Sequence, residues 1–153
     1  MRSLLAGLLL AASLVETSIA AEQTLDLTPD EIANVARGYG SSILDQLKNG
    51  QPVIFGKMDG QNYGIFLIGC EDKPSCALIQ FTAQFPGDKV DLVKVNEWNR
   101  DKRFGKVSIA EDGKVWVNQA VVTGEGLPRK TIERYFGFWQ LVLKQLPEFI
   151  AAK

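Results

Sequence analysis

Histidine is absent from the 153 residues. That absence removes the usual general base near neutral pH, the Ser-His and Cys-His nucleophile pairs, and the commonest ligand of zinc, copper and iron. Most catalytic templates fail at that step, so the chain reads as non-enzymatic, with no cofactor and no metal set. Neither sign of charge is in excess: the net charge is −1, which provides no global field to recruit nucleic acid or an anionic membrane. After residue 20 no apolar run approaches the ~20 residues needed to cross a bilayer. Internal repeats, low-complexity tracts and linkers are also missing. With 46% hydrophobic and 23% charged residues, positions 21–153 therefore read as one domain around a single core.

The first twenty residues are a separate object. Arg2 gives a positive start, residues 4–15 an apolar run, and Ser18-Ile19-Ala20 a small-x-small cleavage signal, the pattern of a secretory signal peptide over 1–20. The competing reading is a membrane anchor, but the run is short and Glu16 follows it. Cleavage after Ala20 or Ala21 would place the mature domain in the periplasm or outside the cell.

Only two cysteines are present, Cys70 and Cys76, between two strand-like runs. In an oxidising compartment they are expected to staple the neck of a hairpin loop as a disulfide. A redox pair would usually take the tighter C-x-x-C spacing, and a metal site would need ligands this chain lacks.

What is present is a regular succession of element signals. Thr28, Pro29 and Glu31 fit an N-cap, N1 and N3, and Ile32, Val35, Ala36 and Tyr39 make one helical face. Gly38 and Gly40 end that helix near Arg37. Residues 42–47 could be one more helical turn, but Asn49-Gly50 after them favours a strand entering a hairpin. Strands follow over 52–58, then, after Asp59-Gly60, over 63–68. The latter is apolar throughout and is expected at the sheet centre, covered on both faces. Residues 78–85 alternate, with Ile79, Phe81, Ala83 and Phe85 on one side. A helix is predicted over 91–100, strands over 104–110 and 114–121 around Asp112-Gly113, and a last helix after Pro128. Its stripe is Ile132, Tyr135, Phe136, Trp139, Val142, Leu143 and Leu146, and Pro147 is expected to kink or end it. Residues 21–26 read as a polar lead-in. The fold class is α+β: an antiparallel sheet meander with flanking helices, in the order helix, three to four strands, helix, two strands, long C-terminal helix.

Asn96, Trp98, Asn99 and Arg103 form the most unusual cluster, with amides, an indole and a guanidinium crowding one helix end. One reading is a structural latch, with amides satisfying sheet-edge backbone and Arg103 paired with a carboxylate. The other is a groove holding a carboxylate, sugar or peptide backbone against Trp98. Phe138 and Leu141 fall off the main stripe of the last helix and are candidate interface residues for a partner or a second copy. Asp45, Asp59, Asp91 and Asp112 could supply a carboxylate pair, though turn and cap roles explain them more simply. The basic residues around Arg100 and Arg129 are interleaved with acids and read as solvated surface.

The run from Asn96 to Gly105 has the pattern Asn-x-Trp-Asn-x-x-x-Arg-Phe. With the Gly69-Cys70 strand end and Gln80-Phe81-Thr82-Ala83 before it, and a hairpin and a Trp139-bearing helix after it, the chain resembles the YbjN domain family of sensory transduction regulators over about residues 28–150. The resemblance implies a fold like that of type III secretion chaperones and no established catalytic activity. It also implies a departure. Asn118 stands where such sequences often carry an acid, so a pairing with Arg103 would weaken to a hydrogen bond. The function expected is a non-enzymatic periplasmic domain that binds a protein or peptide partner in a chaperone-like or regulatory role, with a homodimer as one form. The alternative is a small-ligand sensor using the Asn/Trp/Arg cluster.

Overall fold

The first helix begins at its expected cap. Thr28 Oγ1 accepts the Glu31 amide at 3.2 Å, Pro29 fills the first helical position, and α1 spans Pro29–Arg37. The reciprocal arm of a capping box is replaced, because the Thr28 amide donates to Asp26 O at 2.7 Å. The computed structural model describes residues 24–71, 75–88, 90–124 and 126–152, and the expected signal peptide lies outside them.

A short strand β1 (Thr24–Leu25) precedes α1, and a meander of β2 (Ser41–Gln46), β3 (Pro52–Met58), β4 (Gln61–Ile68) and β5 (Leu78–Phe85) follows it. Asp59 and Gly60 both take positive φ, 49° and 83°, which is the twist a two-residue hairpin turn needs between β3 and β4. Then come α2 (Leu92–Asp101), β6 (Lys106–Ile109), β7 (Val115–Val122), β8 (Leu127–Pro128) and α3 (Arg129–Ala151). Six strands form one antiparallel sheet in the order β2-β3-β4-β5-β7-β6, and β1 pairs with β8 in a separate ribbon.

Period-2 alternation sorts the sheet into two unlike faces. One carries Ile54, Tyr63, Ile65, Ile79, Phe81, Val117 and Val121, all buried. Phe81 is at its centre, with Phe136 edge-on at 5.0 Å and Trp139 at 5.5 Å. Tyr39 stacks on Phe136 and donates its hydroxyl to Glu133 O at 2.7 Å, which locks α1 to α3. Trp98 meets Phe149 at 5.3 Å, so α2 packs on the same face near the end of α3. The opposite face runs through the row Ile43, Phe55, Gly64, Thr82, Asn118 and Lys106, and no helix among the described residues covers it.

Four expectations change. β4 is central, as its apolar run suggested, but it is covered on one face, with Ile68 exposed on the other. Pro147 does not end α3, because it removes a single backbone donor while Phe149 and Ile150 continue to pack on the core beyond it. The strand expected from 104 begins only at Lys106. Gly105 turns at φ 74°, so close to α3 that a Cβ there would lie 2.8 Å from a Val142 methyl. Finally, the lead-in is not structureless: its end is β1.

Cys70 and Cys76 are disulfide-bonded, with Cα atoms 3.9 Å apart, at the neck of the β4–β5 loop. The far side of that neck is tied to the N-terminal segment. The Leu27 amide donates to Ser75 Oγ at 2.9 Å, Leu27 O accepts from the Cys76 amide at 3.0 Å, and Thr123 Oγ1 donates to Cys76 O. Reducing this bond should lower unfolding stability by about 2 kcal/mol, as expected for so short a closed loop. Urea titration with and without reductant reads this as a lower midpoint with near-native far-UV signal before the transition.

Tyr63 lies across Gly56 on the neighbouring strand, where a Cβ would sit 2.5 Å from its ring. Its hydroxyl is buried without a hydrogen-bond partner among the described residues, and burial pushes the phenol up to about 12 from its ordinary 10.0. Because the folded state holds this proton more tightly than the unfolded state, its contribution is fully present below pH 10 and is lost as pH rises through the folded value. Tyr63→Phe should flatten the decline of stability between pH 10 and 12. At pH 7 it should leave stability unchanged or raise it by up to about 1 kcal/mol, since no hydrogen bond is lost.

Candidate functional site

α2 is aimed by its two ends. Asp91 caps the first turn by accepting the Lys94 amide at 2.8 Å, and Val95 and Trp98 bury the inner stripe. Trp98 is fully packed and donates Nε1–H to Gly105 O at 2.6 Å, so the indole fixes the turn that leads into β6. One residue on, Asn99 takes both backbone groups of Val107: Nδ2 donates to its carbonyl at 3.0 Å and Oδ1 accepts its amide at 2.9 Å. Val107 sits on the edge strand of the sheet, and these are its groups that face away from β7. The side chain of Asn99 thus occupies the place of a further strand.

The rest of the expected cluster does not gather there. Asn96 is exposed and its side chain makes no hydrogen bond among the described residues. Arg103 is also exposed and has no ion pair or hydrogen bond among them. The reason is local: α2 stops at Asp101 and Lys102 is extended, so the stripe from Asn96 through Asn99 never reaches Arg103. Asp101 is committed to Arg100 at 2.7 Å, a hydrogen bond that holds its carboxyl below the ordinary range. Asn118 accepts from Gln80 Nε2 at 3.3 Å on the uncovered face of the sheet, so the expected Arg103–Asn118 hydrogen bond is not formed.

Arg103 instead joins the other candidate pair. Trp98, Lys102, Arg103, Phe138 and Leu141 line one groove of about 180 Å³ between the end of α2 and the outer side of α3. Phe138 is half-buried there, stacked on Phe104 at 4.0 Å, so much of the apolar surplus on α3 is already used within the chain. Leu141 stays open. The groove is smaller than the roughly 300–1,000 Å³ of ordinary ligand pockets. A wider one, about 420 Å³, lies where Phe85, Pro86 and Val90 meet Pro147 and Ile150, and nothing in the sequence reading marked it.

The four acids of the conceivable carboxylate pair each accept a hydrogen bond elsewhere, three of them from a residue within three positions and Asp59 from α3. Asp45 accepts the Gln46 amide, Asp91 caps α2, Asp112 accepts the Lys114 amide in its turn, and Asp59 accepts from Gln140 Nε2. Among the described residues no group of three acids or cysteines could hold a metal.

The surface that sequence reasoning missed is the uncovered sheet face. Ile43, Phe55, Ile68 and Val122 project from it with 69%, 49%, 41% and 75% of their surface exposed, and Phe66 and Leu78 lie half-buried among them. A contiguous apolar patch of this kind marks an interaction surface more often than scattered exposed residues do. Part of the signal was there in alternation: Phe55 is out of phase with buried Ile54, and Phe66 and Ile68 with buried Ile65 and Leu67, although Val53, in phase with Phe55, is itself buried.

The latch and the free cation make opposite predictions. Asn99→Ala leaves the Val107 amide and carbonyl without their partner and should cost about 1–3 kcal/mol, whereas Arg103→Ala should move stability by less than about 0.5 kcal/mol. Chemical denaturation of the two variants side by side checks this.

A family model for YbjN, described as "Putative bacterial sensory transduction regulator", matches residues 28–151, from the N-cap of α1 to the last residue of α3. No curated protein matches the chain. The match takes in both helix–sheet contacts of the latch and every strand of the main sheet, and the chain belongs to the YbjN family.

Proposed function

We propose that this chain is a non-enzymatic periplasmic domain, released by cleavage of a signal peptide, that binds a protein or peptide partner in a chaperone-like or regulatory role. The family is described as regulatory, and the Cys70–Cys76 disulfide suits an oxidising compartment. No helix among the described residues is long and apolar enough to cross a membrane. The observation that carries the binding role is the apolar sheet face left uncovered by the helices, with Phe55 and Ile43 at one end and Val122 toward the other. Aromatic and branched side chains held rigidly on strands are suited to burial against a partner, because little side-chain entropy remains to be lost.

A second reading, a small-ligand sensor, draws on the groove beside Arg103, where an apolar floor lies next to Lys102 and Arg103. Its small volume favours it less. Thermal-shift screening against amino acids, sugars and envelope fragments separates the two, since only the sensor reading requires a stabilising small molecule.

A photo-crosslinking side chain placed at position 55 in the exported protein should trap a protein adduct. That adduct should disappear when Ile43 and Val122 are changed to serine, while the same probe at exposed Lys144 on α3 should trap none. Equal labelling from 55 and 144, or an adduct indifferent to the serine changes, would remove the sheet face as the binding surface.

A further inference from the structure

The two edges of the main sheet are finished differently. At β6 the strand is only four residues long and Asn99 occupies the outward groups of Val107. β2 has six residues in unbroken register with β3 and carries no lysine, proline or bulge, its one charge being Asp45; α1 packs beside it, with Ser42 Oγ donating to Ala33 O at 3.1 Å. Leu47 donates across the hairpin to Gln51 O at 2.9 Å, so by alternation the odd-numbered residues of β2 face β3 while Ser42, Leu44 and Gln46 present their backbone groups outward. Asp45 already accepts the Gln46 amide at 2.8 Å. Among the described residues the unpaired stretch is thus Ser42 to Leu44, and the side chain between them is Ile43, largely exposed on the uncovered face.

We propose that β2 pairs antiparallel with β2 of a second copy of this chain about a two-fold axis through Ile43, joining the two sheets edge to edge. In this register Ser42 of each copy lies opposite Leu44 of the other. The outward N–H and C=O of each then meet a carbonyl and an amide, and none of these groups is left over. Ile43 faces its own equivalent as a non-hydrogen-bonded pair, with Cα atoms about 4.5 Å apart and side chains in contact. Ser41 lies opposite Asp45 of the other copy, and Lys57, the neighbour of Ser41 on β3, shares that row and face. The acid of one copy is therefore brought toward the lysine of the other, and no like charges are set opposite each other. Shifting the pairing by two residues centres it on Leu44 instead. Ile43 then lies opposite Asp45, an apolar side chain against a carboxylate.

The pairing is isologous and closes on itself, so it yields a dimer and not a filament. It also makes the binding surface composite, because Phe55 and Ile43 of one copy continue into Ile43 and Phe55 of the other across the seam. This deepens the partner-binding reading by supplying half of its platform from a second chain. The interface is small, in the class of transient contacts.

The mature chain should approach twice its monomer mass in sedimentation equilibrium at concentrations up to about 500 μM, the range suited to an interface of this size. Ile43→Lys should return it to monomer with an unchanged urea midpoint, since the side chain is mostly solvent-exposed. Ile43→Cys should crosslink to a dimer under mild oxidation, because paired Cα atoms at that spacing suit a disulfide. Val122→Cys, similarly exposed but on β7, four strands away from β2, should not. The proposal is overturned by a monomer throughout that range, by a dimer that survives Ile43→Lys, by equal crosslinking at position 122, which would mean face-to-face packing, or by an adduct at position 43 that maps to a different protein, which would mean β2 receives a foreign strand. A monomer that still gives the position-55 adduct would sink the dimer alone. A dimer without that adduct would sink the binding role alone.

Discussion

The contact between Asn99 and Val107 decides how this sheet meets the rest of the molecule. A carboxamide presents a donor and an acceptor at the spacing of a peptide group, so one side chain satisfies both outward backbone groups of an edge residue that would otherwise need water or another strand. The same helix sends Trp98 into the core to hold the Gly105 carbonyl, which sets where β6 begins. Two adjacent residues thus fix the position of α2 and close one edge. The guanidinium four residues on has no part in it.

With that edge closed and the three helices gathered on one face, what remains open is the other face and the other edge. The core does not need the uncovered face. Phe81, Phe136, Trp139 and Tyr39 pack among themselves on the helical side. Apolar side chains such as Ile43 and Val122 therefore add little to the stability of the isolated chain, and their exposure is a hydrophobic surface available for burial against something else. The acids that might have done chemistry are engaged in caps and turns, and the domain has no histidine to move a proton near neutral pH.

The local grammar of the chain was readable from its residues. Thr28-Pro29 placed the first helix, Asp59-Gly60 and Asp112-Gly113 placed two hairpins, and alternation over Ile79, Phe81, Ala83 and Phe85 gave a strand with one buried side. Relations between distant segments were less accessible. The apolar run of β4 suggested cover on both faces because hydrophobicity reports burial in some assembly, and the run does not say whether the cover comes from this chain. Spacing on a helix placed Asn96, Asn99 and Arg103 together, but the ladder ended at Asp101 and the last of them turned outward. Trp98 and Asn99 kept a structural role that residue type alone had suggested. Arg103 and Leu141 were brought into one groove by the approach of α2 to α3, a tertiary event with no local signature.

The claim most exposed to test is that one sheet edge is sealed by a side chain while the other is left open. Residue-resolved amide exchange in dilute protein measures this directly. The account predicts that the Val107 amide exchanges as slowly as amides inside the sheet, while the amides of Ser42 and Leu44 exchange at rates near those of loops. Fast exchange at Val107, or protection at Ser42 and Leu44 that persists on further dilution, would contradict it.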